Sequence, residues 1–203
     1  RELDIEPSSP LLRAIMAASA ERPKGSEMLD ADGNLALLGY GLPDGFAATD
    51  CKQHSVLLYW QGNLSANATA LFKIHVPAEL ASVGRGQKRL VVAVATAPPV
   101  QSWGVAEYLG AELKFRLFCG DKNSDEIVAL LQRDEEEENV AAEAGVKDLK
   151  MGLGINRRSV GTLQRATHEW FVHKEEFSAD DYTLAVSLAK ASWAKQDTSV
   201  PVA

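Results

Sequence analysis

The chain has 203 residues, of which 46% are hydrophobic and 24% are charged, and its net charge at pH 7 is −7. This length suits one domain, or one domain with a short additional segment, and the composition is that of an ordinary globular protein. The acidic balance argues against general nucleic-acid binding, which needs a basic face to displace counterions from phosphates. No apolar run reaches the ~20 residues of a membrane-spanning helix, and no signal-like segment follows Arg1. We therefore expect neither nucleic acid nor a membrane as a partner.

The first predicted element is a helix that begins near Ser9 and Pro10, because a serine hydroxyl caps helix N-termini and proline fits the first turn. One face is expected to carry Leu11, Leu12, Ile15, Met16 and Ser19, and the other faces carry alanines. Such a helix is typical of a segment that is packed on nearly all sides. The first fifty residues contain too little chain to pack it. We therefore expect residues 1–50 to expose apolar surface or to cover it through oligomer contacts.

The order of LRAIMAASA and GYGLPDGFAA resembles the C-terminal end of the catalytic domain of subtilisin-like serine peptidases. The matching residues are Leu12, Arg13, Ala14, Met16, Ser19 and Ala20, followed by Gly39, Tyr40, Gly41, Asp44, Ala47 and Ala48. In that family a buried, alanine-rich helix follows the helix of the nucleophilic serine, and a GYG turn and a last helix close the domain. A weaker resemblance to the β-rich extension of some bacterial members continues through VAVATAPPV, EYLGAELKFRLFCG and SVGTLQRATHEW.

The three catalytic motifs of that family are absent from the sequence: an Asp in D-[ST]-G, a His in H-G-T and a Ser in G-T-S-x-A. A serine hydroxyl is a poor nucleophile without a positioned imidazole and donors for the oxyanion. The resemblance therefore implies that this chain is not itself a peptidase and that the parent's chemistry lies upstream of Arg1. We assign no catalytic, cofactor-binding or metal-binding residue.

Beyond the first fifty residues the hydrophobic pattern predicts strands. Residues 56–60 form a short apolar run that fits a buried strand, and residues 69–76 alternate, with Ala70, Phe72 and Ile74 on one face. Residues 90–97 are apolar on both faces, which is typical of a central strand.

The sharpest alternation lies in residues 112–119. Leu113, Phe115, Leu117 and Cys119 are expected to point inward, and Glu112, Lys114, Arg116 and Phe118 outward. Residues 160–165 and 182–189 predict two further strands, the second with Tyr182, Leu184, Val186 and Leu188 on one face. These patterns predict a mainly β fold, a jelly-roll-like β-sandwich with one or two helices, preceded by an α-helical segment. We place a catalytic-domain remnant at residues 1–52 and the β-sandwich at residues 53–203.

One helix is predicted within the sandwich. Ser124 is expected to cap it, Asp125 and Glu126 suit the positive end of its dipole, and Ile127, Leu130 and Leu131 form its buried face. Residues 134–158, which include the acidic quartet 135–138, are expected to form a long surface excursion.

Four motifs invite chemistry, and each has a simpler interpretation. The oxygen ligands of residues 30–34 resemble the start of a calcium loop, but Gly41 stands where a bidentate Glu is needed, so a tight turn is favoured. His168 and His173 are one residue too far apart for a zinc helix, and their surroundings favour a β-edge. MGLGINRR lacks the third glycine of a dinucleotide site. The acidic quartet fits a solvated face or a partner contact.

The two cysteines, Cys51 and Cys119, are too few for a disulfide framework. Reduced thiols are favoured over a single bridge, and they favour a cytoplasmic location.

Three classes of function are compatible with the sequence. The resemblance implies a non-catalytic C-terminal region of a subtilisin-like serine endopeptidase, which braces its own upstream catalytic domain or contacts substrates and partners. Because related bacterial peptidases occur beside an AAA-type ATPase gene, it also implies an ATPase partner. The alternatives are a jelly-roll module for carbohydrate or another ligand, with the aromatics on one exposed face, and an unrelated enzyme whose site is assembled from scattered residues.

Overall fold

The structure, a computed structural model, describes residues 6–26, 38–49, 55–75, 87–101, 108–119, 123–132, 147–148, 161–171, 181–195 and 197–203. The helices within these ranges are α1 (Ser9–Ser19), α2 (Gly45–Thr49) and α3 (Ser124–Gln132). The strands are β1 (Ala20–Glu21), β2 (Leu42–Pro43), β3 (Gly62–Ser65), β4 (Thr69–His75), β5 (Gln87–Ala95), β6 (Ala111–Cys119), β7 (Lys147–Asp148), β8 (Leu163–Phe171), β9 (Asp181–Lys190) and β10 (Ser199–Val202).

Eight of the strands form two antiparallel layers. The first sheet has the order β4-β9-β6-β7. In the second layer β3 pairs with β10, β5 pairs with β8, and a bridge between Thr96 and Val202 joins β10 to the end of β5. The second sheet therefore has the order β3-β10-β5-β8. These two orders are those of a jelly roll, so the predicted mainly β fold is confirmed.

The main core lies between the two sheets. It is formed by the inward side chains of the paired strands, including Leu113, Phe115 and Leu117 of β6, all of which are fully buried. Tyr182, Leu184, Val186 and Leu188 of β9 pack there too, as the alternation predicts. One polar side chain joins the layers: Nε2 of the buried Gln164, in β8, donates to the carbonyl oxygen of Leu113, 2.7 Å away in the opposite sheet.

The second sheet explains why β5 is apolar on both faces. Val92 and Val94 point into the core, while Val91 and Ala93 face the opposite way, towards α1. Helix α1 contacts both β5 and β8 and so covers the outer face of this sheet. The strand is covered on both faces, and both must therefore be apolar.

Helix α1 differs from its prediction in cap and in face. Its N-cap is Ser8 instead of Ser9, since the Ser8 hydroxyl accepts from the Leu11 amide at 3.3 Å. The buried residues are Pro10, Leu11, Ala14, Ala17 and Ser19, whereas Leu12 is 49% and Met16 53% exposed. The alanine face, and not the face of larger side chains, packs on the sheet, because small side chains bring the helix axis close to β5.

Helix α3 covers the outer face of the first sheet. Its cap is Asn123 instead of Ser124, because Asn123 Oδ1 accepts from the Asp125 amide at 3.3 Å. Ile127 is buried, as predicted, in a small second cluster with Phe118 and Ala185. Phe118 does lie on the outer side of β6, but it is fully buried there because α3 covers it.

The prediction of a strand at residues 56–60 is wrong. This segment carries no strand pairing, and Val56 and Leu58 are 57% and 66% exposed. An apolar run becomes a strand only where a partner edge is within reach, and here it runs beside a gap in the second sheet.

Candidate functional site

An apolar groove with a volume of about 430 Å³ follows one edge of β5. Its lining includes both faces of the strand, since core-facing Val92 and helix-facing Val91 both contribute. The groove therefore wraps around the edge of β5 instead of lying on one side of the sheet. Its volume is within the usual range of ligand sites, about 300–1,000 Å³.

Three elements enclose the groove. The floor is the core side of the first sheet, with Phe72, Ile74 and Leu184. The roof is α1, which contributes Ala14 and Ile15 among others. Residues 57–60 form the wall opposite β5, and Ala203 lies at one end.

The wall is tied to the floor by two aromatic rings. Trp60 lies against Phe72 with ring centroids 5.1 Å apart and a tilt of 59° between the planes, a favourable arrangement for an aromatic pair. Trp60 and its neighbour Tyr59 remain exposed on their other sides. The adjacent Gly62 is needed for this contact, because a Cβ at that position would collide with the Trp60 ring.

Backbone groups of β5 are unpaired along the groove. The Ala95 amide donates to the Ala203 carbonyl at 2.6 Å, the Ala203 amide donates back at 2.9 Å, and the Thr96 amide turns the other way to Thr162. In an antiparallel ladder the bonding direction alternates from one residue to the next. The N–H and C=O of Ala93 and Val91 must therefore point into the groove. Across the described ranges, neither residue has a hydrogen-bond partner on that side.

The segment that carries the peptidase resemblance is anchored to the outer face of the second sheet by polar contacts. The Arg13 guanidinium donates to Thr162 Oγ1 at 2.7 Å and to the Thr96 carbonyl at 3.4 Å. The Tyr40 hydroxyl donates to the Leu163 carbonyl at 3.0 Å. Arg165 Nη2 donates to the Ala20 carbonyl at 2.9 Å. The remaining apolar surface of this segment is exposed at Leu42 and Phe46.

Positive charge is concentrated under α1. Burial lowers the pKa of the Arg165 guanidinium, and the neighbouring cations Arg89 and Arg22 lower it further. Glu21 opposes this effect and forms an ion pair with Arg89 at 3.2 Å. Because the last pair is exposed, it is screened by solvent.

Most of the motifs singled out in the sequence fall outside the described part of the chain. Residues 30–34, 135–138 and the MGLGINRR segment lie outside the described residues, and so does Cys51. His168 lies in β8, as a strand-like setting predicts, and its backbone pairs with Leu90, whereas His173 lies outside the described part. Where the chain is described, no group of His, Cys, Asp or Glu side chains could hold a metal ion.

The groove itself was missed by the sequence analysis. Its signal is the combination of two apolar runs, residues 56–60 and 90–97, of which the first proved to have no partner. Each run alone is typical of a buried strand. Only the order of the strands in the sheet shows that the first run is not paired and that the second run borders a groove.

The comparisons with known proteins give no relative. No protein-family model, curated protein or solved structure matches the chain. Among the described helices, none combines the length and the apolar character that crossing a membrane requires.

Proposed function

We propose that this chain is a non-catalytic C-terminal region of a bacterial subtilisin-like serine endopeptidase, in which the β-sandwich braces the end of the catalytic domain. The observation that carries the proposal is an overlap between the residues that match the peptidase pattern and the residues that contact the second sheet. Three of the twelve residues that resemble the peptidase pattern make polar contacts that attach the N-terminal segment to the sandwich.

Arg13, Ala20 and Tyr40 all belong to the matched pattern, and all three make the polar contacts to the second sheet. A residue that only filled the interior of a catalytic domain would have no reason to contact a second domain. Their double membership supports a bracing role.

Two further matched residues shape the segment itself. Gly41 has a φ of 101°, in the region that favours glycine, and a Cβ there would collide with the Glu21 backbone. Asp44 caps α2, since its Oδ1 accepts from the Phe46 amide at 2.9 Å. Together they hold the GYG turn against the end of α1.

The proposal implies the chain's own upstream catalytic domain as a contact, an AAA-type ATPase as a partner by family resemblance, and a cytoplasmic location. It assigns no cofactor and no reaction to residues 1–203.

The decisive test is the coding sequence upstream of Arg1. It should contain D-[ST]-G, H-G-T and G-T-S-x-A in one reading frame with this chain, and their absence would overturn the proposal. The isolated chain should not hydrolyse casein or react with a fluorophosphonate probe. Stoichiometric labelling of residues 1–203 would contradict the non-catalytic role.

The groove favours a second candidate function, a jelly-roll module that binds a ligand. Tyr59 and Trp60 supply an exposed aromatic edge, whereas Tyr182 is buried in the core and cannot add to a carbohydrate face. Titration of tryptophan fluorescence with soluble oligosaccharides, in the native chain and in Trp60→Phe, tests this candidate. A saturable change that is lost in the variant would support it, and no change in the native chain would remove the carbohydrate version.

A further inference from the structure

We propose that the side chain of Gln61 is a latch, which ties residues 55–61 to the residues that lead into α1, so that the two move as one unit. We call residues 55–61 the strap; its C-terminal part forms the wall of the groove. The proposal goes beyond the bracing role, because it concerns contacts within the described chain and holds whether or not the parent is a peptidase.

The latch consists of two hydrogen bonds to the backbone ahead of α1. Gln61 Oε1 accepts from the Ser8 amide at 2.9 Å, and Gln61 Nε2 donates to the Glu6 carbonyl oxygen at 3.0 Å. In an extended chain, the C=O of one residue and the N–H of the second residue after it point to the same side. Ser8 has such an extended backbone, with φ −70° and ψ 158°. The side-chain amide of Gln61 thus takes the place that a peptide group of a neighbouring strand would occupy.

The joint between the latch and the helix is a single residue. Ser8 is the N-cap of α1, and its hydroxyl accepts from the Leu11 amide at 3.3 Å. Its own amide is held by Gln61. A displacement of Gln61 is therefore passed to the first turn of α1, and a displacement of the chain ahead of α1 is passed back to Gln61.

The strap is also attached to the first sheet. Trp60, the residue before Gln61, has its ring centroid 5.1 Å from that of Phe72 in β4. Successive residues of an extended chain point to opposite sides, so the strap reaches the first sheet with Trp60 and the entry of α1 with Gln61. Gly62 leaves room for the Trp60 ring, since a Cβ there would collide with it. The end of the strap therefore bridges the first sheet and α1.

The strap forms no strand, and its middle is open to solvent. Val56 and Leu58 are 57% and 66% exposed. Without a ladder of backbone hydrogen bonds, the position of the strap depends on side-chain contacts such as those of its last two residues. Helix α1, by contrast, is fixed to the second sheet by Arg13 and by its buried alanines. Pulling the chain ahead of α1 away from Gln61 should therefore release the strap while α1 stays in place.

The test is Gln61→Met, which keeps the length of the side chain and removes both hydrogen bonds. Hydrogen exchange followed by NMR reports the Ser8 amide, and nuclear Overhauser effects between the two rings report the contact of Trp60 with Phe72. We expect the protection of Ser8 to fall by about tenfold and the Overhauser effects to weaken by about twofold or more. Amides inside α1, such as that of Ala17, should keep their protection.

A second variant measures the coupling from the other end. Trp60→Leu removes the ring contact with Phe72 and leaves the Gln61 side chain intact, and it should lower the protection of the Ser8 amide by about threefold or more. The control Asn63→Ala removes an exposed amide two residues beyond Gln61 and should leave the protection of Ser8 unchanged. Thermal unfolding checks that each variant folds. If one of the two test variants does not fold, the other decides.

Three results would overturn the proposal. The first is unchanged protection of Ser8 in Gln61→Met, which would mean that the two hydrogen bonds do not hold the entry of α1. The second is a loss of Ser8 protection in that variant with unchanged contacts between the two rings, which would make Gln61 a local cap without coupling to the strap. The third is full protection of Ser8 in a folded Trp60→Leu variant.

Discussion

Strand β5 divides into two halves that meet the same core differently. At its C-terminal end, which we call the closed half, Ala95 pairs with Ala203, and Val200 and Val202 of β10 complete the layer and are buried. Over residues 90–94, the open half, no strand of the described part of the chain lies at the neighbouring position, and the exposed segment 57–60 lines the groove there. Both halves are equally apolar in sequence.

The apolar character of a strand therefore does not by itself decide where a neighbouring strand pairs with it. Ala95 in the closed half and Val92 in the open half are both buried, yet among the described residues only Ala95 has the end of β10 beside it. What differs is the presence of a partner backbone, which supplies hydrogen bonds as well as cover.

The largest effect should come from truncating two aromatics of the first sheet, one in the closed core and one beside the groove. Phe115 is fully buried, so Phe115→Ala should lower the free energy of unfolding by about 3–5 kcal/mol. Phe72 borders the groove and is only partly buried, so Phe72→Ala should cost about 1–2 kcal/mol. Urea denaturation measures both. Equal costs would mean that the border of the groove is as tightly packed as the core.

Amide exchange in the unliganded chain should show the same contrast along one strand. The Ala95 and Ala97 amides donate to β10, whereas the Ala93 and Val91 amides face the groove. We expect the second pair to exchange about a hundredfold faster than the first. Comparable rates would contradict an empty strand position and, with it, the distinction between the halves.

A smaller effect is expected from valines on the two sides of the gap. Val200 is fully buried beneath the closed half, so Val200→Ala should destabilise by about 1–2 kcal/mol. Val56 is 57% exposed near the open half, so Val56→Ala should change stability by less than about 0.5 kcal/mol. A large cost at Val56 would show that the segment is buried in solution. Thermal melts with circular dichroism give both values.

Effects no larger than these are expected for the polar contacts beneath α1. Arg13 donates to Thr162 and Thr96 near the closed half, so Arg13→Met should cost about 1–2 kcal/mol. Glu21 pairs with Arg89 near the open half, where both are exposed, so Glu21→Gln should cost less than about 0.5 kcal/mol, and this cost should fall further at high salt. A reversed order would indicate that the open half carries the stronger attachment.

Sequence reasoning recovered the elements whose hydrophobic period matches one layer of the sandwich. The alternation in β6 and β9 correctly predicts Leu113, Phe115, Tyr182 and Val186 as inward residues, because a period of two leaves little choice of face. Phe118 could not be predicted as buried from its strand alone, since its cover comes from α3, the helix that follows β6 and packs over the outer face of the sheet.

The predictions of the buried face of α1 and of a strand at residues 56–60 failed for a related reason. A helix can bury either its larger side chains or the small ones that let it approach a sheet closely. Helix α1 buries its alanines, and the more hydrophobic Leu12 and Met16 favour the wrong face when the sequence is read alone. The strand predicted at residues 56–60 needed a partner whose absence depends on strand order. The candidate site is therefore a property of the topology, and its residues individually carry no chemical signature.

Gln164 gives the sandwich a property that its apolar contacts cannot supply. Contacts between apolar layers are non-directional, so close packing sets the spacing of the two sheets without assigning one atom of a layer to one atom of the other. The buried amide of Gln164 donates to the carbonyl oxygen of Leu113 in the opposite layer and also, at 3.4 Å, to that of Gly161. Lateral sliding of the sheets would stretch the bond to Leu113. This one directional contact helps to fix the position of β8 relative to β6, which the apolar packing between the sheets does not specify by itself.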